Sequence, residues 1–196
     1  MDDFDFQFRA TITKLRGAYL DMAADLEFLL VDIIAVCLLR HDKERNHLKE
    51  ILIAHSMLSF KIKAAKKALK VYNSQYAERY ASQFTLFNEL KDMRNKFSHS
   101  RIEGDSNAQD LDILNFMSFQ DGELIEDRQS RAVLVNKLKI YAEAIHSFTS
   151  EIIPVLYYER HVNRYNNILQ HPSNRSKSYW HHYFAGTTPE PSQIFL

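Results

Sequence analysis

The sequence predicts an all-α fold: a helical bundle of four to five helices with a small β-hairpin inserted before the last long helix. Three observations carry this expectation. Apolar residues recur every three or four positions over long stretches, only four glycines and four prolines punctuate 196 residues, and the period changes once, at about residues 112–127.

The first helix is expected from about Phe6 to Leu39. Ile12, Leu15, Tyr19, Met22, Leu26, Leu29, Ile33 and Val36 alternate steps of three and four, the stripe of a helix packed at a shallow angle in a bundle. A second helix should span Lys43 to Tyr72, with Asp42 as its N-cap. A third follows Asn73-Ser74 and carries Tyr76, Tyr80, Phe84, Phe87, Leu90, Met93 and Phe97. It should stop near Ser98–Arg101, ahead of a polar loop, Glu103–Asp110, in which Gly104 is the stop signal.

The run Ile113-Leu114-Asn115-Phe116-Met117-Ser118-Phe119, then Asp121-Gly122, then Leu124-Ile125, reads as a hairpin with a tight turn. A helical meander competes with it. Ser130 should cap the final helix, whose stripe is Leu134, Leu138, Tyr141, Ile145, Phe148, Ile152 and Val155. Pro154 lies inside that stripe and is expected to kink the helix, which resumes to about Leu169. One domain, residues 1–170, is therefore expected, followed by a C-terminal tail, 171–196.

Composition narrows the function. With 45% hydrophobic and 26% charged residues the chain reads as globular. Its formal net charge is zero, so any attraction to nucleic acid must come from a local patch. The single Cys37 sits in the apolar run Leu26–Leu39 and is expected to pack as a small hydrophobe. One cysteine allows no disulfide within the chain, which suits the cytoplasm. The acidic start, Met1-Asp2-Asp3-Phe4-Asp5, is unlike the basic start of a signal peptide. The Leu26–Leu39 run is broken by Glu27 and Asp32 and is shorter than the roughly 20 apolar residues of a membrane span. No membrane segment is expected.

The most informative stretch is Arg94-Asn95-Lys96-Phe97-Ser98-His99. It joins a permanent cation to the side chain that exchanges protons near neutrality. Cleavage of a phosphodiester by its own 2′-hydroxyl requires these two functions. This R-N-x-x-x-H motif, late in a bundle helix, resembles the HEPN superfamily, many of whose members are metal-independent endoribonucleases of toxin–antitoxin and phage-defence systems. The resemblance covers roughly residues 6–165 and does not extend to the hairpin or the tail.

The resemblance implies that His99 is general base or acid and that Arg94 neutralises charge on the phosphoryl oxygens. Asn95 would orient His99 or hold a phosphate oxygen. No metal or other cofactor is implied, and the product would end in a 2′,3′-cyclic phosphate. Along a regular helix Arg94 and His99 lie roughly 140° apart. They converge on one phosphate only if the helix distorts or if two chains share the site. The family's usual homodimer implies the second. Such an enzyme needs restraint, so an antitoxin protein or a noncoding RNA is an implied partner beside the RNA substrate. One branch of the family has a tyrosine two residues after the histidine, modified there with AMP; this sequence has Arg101. The alternative is a non-catalytic HEPN-like module that binds RNA or protein. A plainer one makes Arg94 and His99 ordinary residues near a helix C-terminus, where cations are favoured.

Lys91, Lys96 and Arg101 flank the motif and are candidate RNA contacts. Lys61, Lys63, Lys66, Lys67 and Lys70 place five cations in ten residues, and Lys63, Lys66, Lys67 and Lys70 share one helical face. That stripe could follow an RNA backbone or be a solvated surface. Tyr179, Trp180, Tyr183 and Phe184 could stack bases or strap the tail to a protein. Asp25, Glu27 and Asp32 border the first helix's stripe, and Asp32 reads as a half-buried acid or as the partner of a catalytic arginine. His171, His181 and His182 do not make a metal site.

Overall fold

The computed structural model describes residues 3–39, 41–105, 110–120 and 123–170. In chain order its elements are α1 (Asp3–Leu38), α2 (Asp42–His55), α3 (Leu58–Tyr72), α4 (Ser74–Arg79), α5 (Ala81–His99), β1 (Arg101–Asp105), β2 (Asp110–Gln120), β3 (Glu123–Ser130) and α6 (Arg131–Gln170). The fold is mostly helical, with a small antiparallel sheet of order β1-β2-β3 ahead of the last long helix. The chain divides into two compact units, Met1–Pro154 and Val155–Leu196. The first holds α1 to β3 and the start of α6; in the second, α6 is described to Gln170.

The core of the first unit is built on α1, which packs against α2, α3 and α5. Seven of its eight stripe residues are buried and Met22 is half-buried. From Leu29 to Val36 nearly every residue is buried, so this part of the helix is covered on all sides. Phe84, Phe87, Leu90, Met93 and Phe97 give α5 a matching inner face. Phe84 and Phe87 meet Phe148 of α6 edge-on at 5.6 and 5.3 Å.

Several boundaries differ from expectation. The expected Lys43–Tyr72 helix is two helices. Ser56 and Met57 are extended, and the Ser56 hydroxyl donates to the Leu52 carbonyl at 2.5 Å, offering the helix end a partner outside the backbone ladder. His41, not Asp42, occupies the cap of α2. The expected third helix divides at Tyr80 into α4 and α5, and Asn73 caps α4 by accepting the Gln75 N–H at 3.0 Å. Among the described residues there are therefore six helices. Pro154 lies within α6, which continues to Gln170.

The largest difference is β1. The segment expected to finish a helix and open a loop is a strand, and the hairpin is the outer part of a three-stranded meander. Ile102 pairs with Phe116 and Gly104 with Leu114, so the apolar side of β1 continues that of β2. Gly104 is a close approach rather than a stop: a Cβ there would lie 2.8 Å from the Phe8 ring of α1. The Asp121-Gly122 turn, residues 106–109 and the tail from His171, with its aromatic and histidine candidates, lie outside the described residues.

Candidate active site

The motif occupies the last turns of α5. Met93 and Phe97 face the core while Asn95, Ser98 and His99 are exposed and Arg94 is half-buried. Asn95 and His99 share a face, as a four-residue spacing requires. Arg94 Nη1 donates to Asn95 Oδ1 at 3.1 Å, so the Asn95 carbonyl oxygen holds the guanidinium and only its amide protons point elsewhere. The helix is regular through His99, and the Ser100 N–H closes it on the Lys96 carbonyl at 2.9 Å. The distortion that would bring Arg94 to His99 within one chain is not there.

The seat beneath the motif is aromatic. Phe97 stacks on Tyr19 of α1 at 4.6 Å and meets Phe116 of β2 edge-on at 5.0 Å. Tyr19 contacts Tyr141 of α6 and donates its hydroxyl to the Leu134 carbonyl at 2.8 Å. Burial pushes the Tyr19 phenol well above its ordinary pKa, with the neighbouring Tyr141 adding to it. Tyr141 rises to about 12, first through burial and then through the Glu89 carboxylate it faces. Both rings therefore stay neutral hydrogen-bond donors over the physiological range.

Lys96 ties α5 to the sheet. Its ammonium pairs with Asp127 of β3 and lies 4.8 Å from the centre of the Phe116 ring. Desolvation, and then repulsion from Lys137 of α6, lowers its pKa. The partners Phe116, Asp127 and Lys137 were missed from sequence: strand register brings the first two to the helix, and the third comes from α6.

The other candidate cations are spread more widely. Lys91 pairs with Asp92 at 2.9 Å and Arg101 with Glu103 at 2.8 Å, both partners being sequence neighbours. Lys63, Lys66, Lys67 and Lys70 are all exposed on α3. Lys61 is not part of that stripe: it is buried and pairs with Glu27 of α1 at 2.5 Å. Asp32 pairs with Lys49 of α2 at 2.5 Å rather than with an arginine of the motif.

No family model, curated protein or solved structure matches this chain. The site therefore rests on its own chemistry. Among the described residues no group of three His, Cys, Asp or Glu side chains is placed to hold a metal, and no helix is long and apolar enough to cross a membrane. One hollow of about 400 Å3 is lined by residues including Asp112, Arg131 and Lys139, and another of about 450 Å3 by residues including Asp21, Asp25 and His146. Neither is lined by Arg94, Asn95 or His99.

Proposed function

We propose that the chain is a metal-independent endoribonuclease acting as a toxin or anti-phage effector in the cytoplasm. His99 exchanges protons with the 2′-hydroxyl or the leaving oxygen, Arg94 neutralises the phosphoryl charge, and Asn95 holds Arg94 in place. The observation that carries this reading is the gathering of all three in the last turns of α5, with Asn95 and His99 exposed and Arg94 half-buried beside them. The helix there is fixed from below by Phe97 and from the side by Lys96. A catalytic group needs such a seat, since orientation supplies much of the rate. Because Arg94 and His99 diverge on a regular helix, the competent site is that of a homodimer, with the arginine of one chain serving the histidine of the other. Lys91, Lys96, Arg101 and the α3 stripe draw the RNA in, and an antitoxin protein or a noncoding RNA restrains the enzyme.

The test compares the intact protein with Arg94→Ala and His99→Ala on total RNA without added metal. Discrete cuts ending in 2′,3′-cyclic phosphate, lost in both folded variants, are expected. Cutting that survives both changes would overturn the assignment.

A further inference from the structure

Lys96 has two uses that exclude one another. It ties the end of α5 to β3 through Asp127, and it is the cation of the motif best placed beside His99 within one chain. At a spacing of three, Lys96 and His99 are neighbours on the helix surface, about 60° apart around the axis and about 5–6 Å apart at Cβ. Arg94 lies roughly 140° round from His99 on the same regular helix.

The surroundings of Lys96 call for an anion. Lys137 of α6 comes near enough to lower the Lys96 pKa, and it has no ion pair of its own among the described residues. Asp92, one turn behind Lys96, is taken by Lys91. Two ammonium groups therefore share one carboxylate, and a surplus positive charge remains at the side of the helix end. Asp127 stands opposite Phe116 on the sheet face that meets α5. Its other hold is the Gln129 amide, which donates to it at 3.0 Å. Lys96 is 22% exposed and Asp127 42%, so the carboxylate is within reach of a competing anion from solvent.

We infer that Asp127 is a resident anion, holding against Lys96 the place that an RNA phosphate takes by displacing it, with Lys137 as that phosphate's second cation. The inference rests on the endoribonuclease reading and adds two residues and a restraint to it: the free chain blocks part of its own phosphate site. RNA overcomes the block where a single ion does not, because each phosphate already held raises the effective concentration of the next.

The test measures binding of a 2′-O-methyl oligonucleotide, which cannot be cut, to the full chain across a salt series. Asp127→Asn, which keeps the shape and can still accept from Gln129, should tighten binding about threefold to tenfold, the worth of one partly exposed ion pair. Its salt slope should steepen by about 0.7, one net charge against a single strand. In a Lys96→Ala background that gain should vanish. Lys137→Ala should weaken binding and flatten the slope by a similar amount without lowering the thermal midpoint. Unchanged or weaker binding in Asp127→Asn overturns the inference and makes the pair a strut. So does a gain that persists without Lys96, which reports only the loss of a negative charge. Where Asp127→Asn does not fold, Lys137→Ala decides, and unchanged affinity and slope there overturn the inference. No binding by any version overturns this inference and the endoribonuclease reading together. Tightening that depends on Lys96, in a protein that never cuts, keeps the resident anion and removes the nuclease.

Discussion

The ion pair between Lys61 and Glu27 gives an asymmetric prediction. Lys61 is 1% exposed whereas Glu27 is 28% exposed, so removing one partner is not equivalent to removing the other. Glu27→Ala strands an ammonium in the α1–α3 interface, and breaking a buried pair in this way costs about 3–5 kcal/mol. The lower end applies, because the Glu27 end already meets water. Lys61→Met leaves a carboxylate that can turn to solvent and puts an apolar chain among Leu58, Ile62 and Ala65. That change is expected to be neutral within about 1 kcal/mol. In a chain of this size a loss of about 3 kcal/mol lowers the thermal midpoint by roughly 6–12 °C. Urea unfolding of both single variants and of Glu27→Ala/Lys61→Met closes the cycle, and the double variant should recover most of the Glu27→Ala loss. Equal costs for the two single changes, or no recovery in the double, would refute the reasoning.

Gly104→Ala should cost about 1–3 kcal/mol in urea unfolding, because the added methyl must displace the buried Phe8 ring 2.8 Å away. Phe97→Ala should cost about 3–5 kcal/mol, removing the ring between Tyr19 and Phe116; a loss under about 1 kcal/mol would mean that the seat repacks freely. The raised pKa of Tyr19 and of Tyr141 means the folded state holds phenolic protons that the unfolded chain releases from about pH 10. Their contribution is complete below that pH and declines as pH rises toward about 12. Thermal midpoints should fall over this range, and Tyr19→Phe should flatten the decline. Reversing Lys63 and Lys67 to Glu should weaken RNA binding and reduce its slope against salt by about 1 or more per lysine; an unchanged slope would mean the stripe is only solvated surface.

The long elements were legible because their signal is periodic: the α1 and α6 stripes became inner faces, and the change of period at Ile113 marked a sheet. The breaks were not. Neither Ser56 nor Met57 is a strong breaker, and Tyr80 is a buried aromatic on the helical stripe, so the division of α4 from α5 has no Gly or Pro to mark it. β1 was hidden because Arg101-Ile102-Glu103-Gly104-Asp105 has one large apolar residue, and its strand state depends on pairing with β2. The inward turn of Lys61 could have been read. It stands three after Leu58 and four before Ala65, on the apolar face, with Glu27 its partner on α1. At the motif, exposure followed from helical phase alone, whereas the hold on Lys96 depends on strand register.

The enclosure of α1 has a consequence for synthesis. Its Leu29–Val36 segment emerges before its covers α2, α3 and α5, which are completed near His55, Tyr72 and His99. At 5–20 residues per second, the roughly 60 residues from the end of α1 to that of α5 take about 3–12 s. Until that interval ends the helix lacks part of its cover, and whatever shields the remaining apolar surface then decides how much of the protein reaches its fold.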